Sequence, residues 1–172
     1  MIQWWSWINQ FMERGGPLLW VLAAVVLLTW ILMLERVLFQ WRRFPLQSQQ
    51  WQQQWQQRAE RTSWFALMQR EGILGRAERS LQRSMALSKL LITVCPMIGL
   101  VGTVTGMITV FDVMAAQGTG NPKLMSAGIA MATLPTMAGM VAALAGLFVH
   151  SRLAKRSDRL LHHLANNLPR ED

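Results

Sequence analysis

Charge is scarce in this chain of 172 residues: Asp, Glu, Lys and Arg make up 15% of it, while hydrophobic residues make up 52%. Soluble domains carry about 25% charged residues, so the shortage argues against a soluble globule. It is also uneven. No charge falls in Pro17–Leu34, Leu90–Phe111 or Leu124–Val149, runs of 18, 22 and 26 residues. Crossing a bilayer takes roughly 17–25 predominantly apolar residues. Three spans follow, which excludes the secreted, fibrous and disordered classes. Cysteine is nearly absent. Cys95 stands alone inside the second run, so no internal disulfide can form and the thiol reads as a small buried hydrophobe. His150, His162 and His163 cluster near the C-terminus without ligand spacing, so no metal and no cofactor is expected. No nucleophile–base pair is present, and Gly99, Gly102 and Gly106 lack the Gly-Lys-Ser/Thr of a phosphate-binding loop. An enzyme is therefore not expected. Met1–Met12 has no basic leader and no A-x-A site follows the first run, so that run reads as a retained anchor.

Acidic residues are few, nine against 17 basic ones, for a net charge of +8. The basic ones are placed asymmetrically. Ten lie between the first two runs: Arg36, Arg42, Arg43, Arg58, Arg61, Arg70, Arg76, Arg79, Arg83 and Lys89. Five more, Arg152, Lys155, Arg156, Arg159 and Arg170, follow the third, and only Arg14 and Lys123 fall on the other side. The positive-inside rule then puts the N-terminus outside and the C-terminus in the cytoplasm. The charge reads as a topology signal and not as a nucleic-acid surface.

The organisation that follows is all-α. Residues 1–16 read as a periplasmic interfacial helix, with Ile2, Trp5, Ile8, Phe11 and Met12 near helical spacing and Trp4 and Trp7 beside them. The spans are residues 17–34, 90–114 and 124–149. A cytoplasmic helical region occupies 35–89, a periplasmic hairpin 115–123 and a cytoplasmic tail 150–172. Trp20 and Trp30 sit where aromatic anchors belong. Eight of the eleven residues Gln47–Gln57 are Gln. Gln is a good helix former and Trp51 and Trp55 share a face, so helix is preferred over disorder. Pro45 marks its boundary and a break is expected near Gly72–Gly75.

The second and third spans differ from the bulky first. Gly102-x-x-x-Gly106, Gly139-x-x-x-Ala143 and Ala142-x-x-x-Gly146 allow close backbone approach, so these spans should pack as antiparallel neighbours. Gly99 and Gly128 belong to the same set. Thr93, Thr103, Thr105 and Thr109 in one span and Thr133 and Thr136 in the other can each back-bond to their own helix. Collectively they can also line a cavity, beside carbonyls freed by Pro96 and Pro135. The uncharged runs hold hydroxyls and no carboxylate, Asp112 falling just past the end of the second. If ions flow, the titratable group must come from another chain.

The string Pro96-Met-Ile-Gly-Leu-Val-Gly-Thr-Val-Thr-Gly-Met107 resembles the second-span signature of the MotA/TolQ/ExbB proton channel family. Gly128-Ile-Ala, then Thr136-x-x-Gly139-x-Val141-Ala142-Ala143, is similar to the third-span signature, and the chain is most like a short ExbB, the energiser of the TonB system. The resemblance implies that Pro96 matches the family proline and that Thr103 and Thr136, with Thr133 nearby, line the channel. It implies a ring of five subunits around an ExbD-like single-span partner whose Asp carries the proton, a TonB-like protein taking up the work, and a bacterial inner-membrane location. ExbB and TolQ usually place Glu after Gly-Ile-Ala; here Met131 stands there, so the partner's Asp would carry the relay alone. A TolQ-like role in envelope maintenance and a non-conducting membrane scaffold are the alternative readings.

Overall fold

The computed structural model describes residues 2–57, 63–117 and 122–168. Arg58, Arg61 and Arg170 of the basic count, and the centre of the 115–123 hairpin, lie outside the described residues. So do the side chains of Ile2, Trp4, Trp5, Trp7, Ile8 and Met131. Every described element is helical: α1 (Ile2–Leu38), a π-helical turn (Phe39–Arg43), α2 (Phe44–Gln56), α3 (Trp64–Gln82), α4 (Met85–Gln117) and α5 (Pro122–Asn166). Among the described residues, three helices are long and apolar enough to cross a membrane.

Two compact units are present. The first comprises Met1–Trp30 and Leu90–Leu147, the second Ile31–Lys89 and Phe148–Asp172. In the first, Leu19 and Leu22 of α1 are buried with Cys95 of α4, and Val25, Val26, Ile98, Ala138 and Ala143 pack around them. Trp20, Val21, Leu27 and Leu28 of the same helix stay exposed, so α1 buries one stripe and leaves the rest of its circumference open. The α1 backbone leaves the helix at Gly16 (φ 68, ψ −169). That region is essentially closed to residues with a Cβ, and Pro17 restricts the residue before it further.

The second unit is built on Phe44, Trp55, Ala66, Ile73, Ala77, Leu81, Leu164 and Leu168. Their spacing on α3 (66, 73, 77, 81) is one helical face, and it explains a correction. The break expected near Gly72–Gly75 is absent, because α3 runs unbroken from Trp64 to Gln82. Gly costs about 1 kcal/mol against Ala inside a helix, less than burying Ile73 and Leu81 returns at roughly 1.5–3 kcal/mol each. The chain breaks instead at Ser84, a non-Gly residue at φ 74. The Gln-rich segment is helical, with Trp55 buried on α2.

Two arginines hold helix ends in this unit. Arg36 is only 5% exposed. Its guanidinium donates to the Ser80 carbonyl at 3.1 Å, to the Arg83 carbonyl at 2.7 Å and to the Ser84 hydroxyl. The last carbonyls of α3 are unpaired within the helix and sit at its negative end, where a cation is favoured. Arg70 does the same for α5, donating to the carbonyls of Ala165 (3.1 Å) and Leu168 (2.8 Å). Burial pushes the Arg36 guanidinium below its ordinary pKa, the Glu35 carboxylate opposes that shift and Arg83 adds to it. Within the same unit Gln40, in the π-helical turn, donates to the Ser157 hydroxyl at 2.8 Å and to the Leu153 carbonyl at 3.3 Å.

Candidate functional site

The sequence candidates converge on one seam in the first unit. Gly99, Gly102 and Gly106 stand at i, i+3 and i+7 on α4, one face of a helix. Residues of α5 meet them in antiparallel order. A β-carbon at Gly99 would lie 2.9 Å from the Pro135 carbonyl oxygen and 2.9 Å from Thr136 Cα; at Gly102 it would lie 2.6 Å from Pro135 Cβ, and at Gly106 2.7 Å from Ala132 Cβ. From the other side, a β-carbon at Gly139 would lie 2.7 Å from the Cys95 carbonyl oxygen, and one at Gly146 3.0 Å from Ile92 Cγ1. Gly128 faces Val110 in the same register. The glycines therefore let two backbones touch, and Ala143 packs beside them in the Leu19–Cys95 cluster.

Close approach permits a hydrogen bond between the two helices. Thr136 Oγ1 donates to the Gly99 carbonyl at 2.9 Å. That carbonyl is also the ordinary i−4 acceptor for the Thr103 N–H, and an oxygen has two lone pairs for both. Thr136 thus reaches the backbone of the turn that carries Thr103. Thr103 itself bonds back to the Leu100 carbonyl at 2.7 Å, Thr105 to Val101 at 3.0 Å and Thr109 to Thr105 at 3.0 Å. Thr133 is exposed one turn before Thr136. Cys95 is buried, with its thiol donating to the Leu91 carbonyl at 3.3 Å.

The two prolines behave differently. Pro96 is half-buried inside α4, which continues through it. Pro135 is buried and its ring fills the notch that Gly102 leaves, a packing role in addition to the carbonyl its missing N–H frees. Complementary positions 102 and 135 could be paired only by aligning the spans in antiparallel register. Outside the seam both helices are apolar and exposed: Leu100, Val104, Ile108 and Phe111 on α4, and Met137, Val141 and Leu144 on α5.

The sequence model of the MotA/TolQ/ExbB proton channel family matches residues 46–166, from the Gln-rich helix to the end of α5. No curated protein matches the chain.

Proposed function

We propose, from the premise that the chain belongs to the MotA/TolQ/ExbB proton channel family, that it is the channel-forming stator subunit of an ExbB–ExbD–TonB-like complex energising outer-membrane transport. The observation that carries this reading is the Thr136-to-Gly99 hydrogen bond across a glycine seam. It brings two hydroxyl positions of the resemblance, Thr103 and Thr136, onto one rigid helix pair. In the proposed assembly α4 and α5 line a ring of five such subunits, and the bulky face of α1 meets lipid. The carbonyl-rich, hydroxyl-bearing interior offers hydrogen bonds to a carboxyl group and offers no carboxylate of its own from the uncharged runs. A partner Asp is costly in hydrocarbon when charged, so it loads and unloads its proton as it meets either side. The driving force is about 2.3 kcal/mol per charge per 100 mV. The membrane is the bacterial inner membrane, with the N-terminus periplasmic and the C-terminus cytoplasmic, a reading that the excess of basic residues in 35–89 and 150–172 supports. The protein takes no cofactor and catalyses no covalent reaction.

The test is proton uptake into liposomes holding this protein with an ExbD-like partner under an imposed potential. Uptake that needs the partner and falls in Thr103→Val and Thr136→Val is the expected result. An intact complex that admits no more protons than empty liposomes overturns the channel reading in favour of the scaffold. A TolQ-like role differs only in the partner, so co-purification with a TonB-like or a Tol-like protein separates those two.

A further inference from the structure

The second unit contains a cavity of about 220 Å³ that the channel reading does not use, adjoined by another of about 310 Å³ with which it shares Arg156, Leu160 and His163. Its two walls are helical stripes. Arg156 and His163 stand at i and i+7 on α5, with Arg159 between them lining only the second cavity, while Phe44, Ser48 and Gln52 stand at i, i+4 and i+8 on α2. No carboxylate lines either cavity among the described residues.

The donors are prepared and underused. The Arg156 guanidinium carbon lies over the Trp41 ring, 4.8 Å from its centroid. A cation–π contact does not consume the N–H donors, which can still pair with a phosphate. Arg159 spends only Nε, on the Lys155 carbonyl at 3.3 Å. Asn167 Nδ2 lies 2.9 Å from His163 Nδ1, and an amide N–H donating there leaves the ring proton on Nε2. Gln52 adds an amide. Gln40 also lines the cavity. Its amide nitrogen is held by Ser157 and Leu153, and its buried amide oxygen has no partner.

We infer that these adjoining cavities together bind a phosphate ester anion, with Arg156, shared by both, and Arg159, from the second, on its oxygens. Trp41 and Arg156 each follow the end of an uncharged run, Leu34 and Val149, by seven residues, about 10 Å along a helix. That depth is where headgroups meet water, so a phospholipid headgroup and a soluble phosphate ester can both reach it, and basic pockets so placed suit anionic headgroups.

The test is calorimetric titration of the full chain in maltoside detergent with inorganic phosphate, glycerol 3-phosphate and dihexanoylphosphatidylglycerol. At least one probe should bind, and Arg156→Gln with Arg159→Gln should weaken it by about tenfold or more. Arg42→Gln with Arg43→Gln, equal in charge but outside this cavity, should leave it unchanged. Binding of the lipid alone assigns the headgroup as the source; equal binding of glycerol 3-phosphate assigns a soluble ester. Should the double variant melt early, Gln52→Leu on the opposite wall must weaken the same probe. Equal losses in both arginine pairs, or no binding of any probe up to millimolar concentration, overturns the site.

Discussion

Thr103 and Thr136 are chemically identical, and their hydroxyls are used differently. Thr103 bonds within its own turn, so Thr103→Val removes a local contact that a helix does not need. Thr136 ties α5 to α4. Interhelical hydrogen bonds of this kind in membranes contribute about 0.6 kcal/mol on average and up to about 1.7. Thr136→Val should therefore lower the thermal midpoint of the detergent-solubilised protein measurably, and Thr103→Val should leave it unchanged. If both reduce proton uptake, the Thr103 effect is about conduction, because its fold has not moved. Thr105 gives a further control. It lies about 200° around the helix from Thr103 at 100° per residue, so the two cannot face one narrow pore, and Thr105→Val should leave uptake intact.

Glycine means different things in different helices. Gly72 and Gly75 meet nothing within 4 Å of an added β-carbon, and they sit in a continuous helix. Alanine at either should stabilise the protein by about 1 kcal/mol. At Gly139 the added carbon would meet backbone at 2.7 Å, which no rotamer change relieves. Gly139→Ala must part α4 from α5 and should weaken the Thr136–Gly99 bond with them. Thermal melts of the three variants decide this, and a stabilising Gly139→Ala would overturn the close backbone contact at the seam. The α3 end carries a comparable test. Arg36→Gln strips donors from the Ser80 and Arg83 carbonyls, at a cost of about 2 kcal/mol or more for hydrogen bonds from a charged group. Glu78→Gln, on the exposed side of the same helix, should be silent.

At the scale of the whole chain the prediction is orientation. With Cys95 replaced by Ser, a cysteine at Thr119 should react with a membrane-impermeant maleimide added to whole cells, after outer-membrane permeabilisation. A cysteine at Arg79 should react only once the inner membrane is opened. The reverse pattern would invert the topology and overturn the positive-inside reading of the Glu35–Lys89 loop and the tail.

The spans, their packing faces and the class of the fold could be read from the chain itself, because they rest on local periodicity: uncharged runs long enough for a bilayer, and small residues three and four apart. The Gln-rich helix was legible for the same reason, through Trp51 and Trp55. What local pattern could not supply is the identity of partners far apart in the chain. Arg36 and Arg70 were counted as topology charges, and only the fold shows that they hold the carbonyl ends of α3 and α5 across 44 and 95 residues. Gly72 and Gly75 looked like a break because helix propensity is intrinsic, whereas the core face of α3 that overrides it is made by α2 and α5. Pro135 looked like a source of a free carbonyl until Gly102 was brought opposite it. Spacing within a helix is a property of the sequence; which residue faces which across a seam depends on register, and register is settled only when whole helices pack.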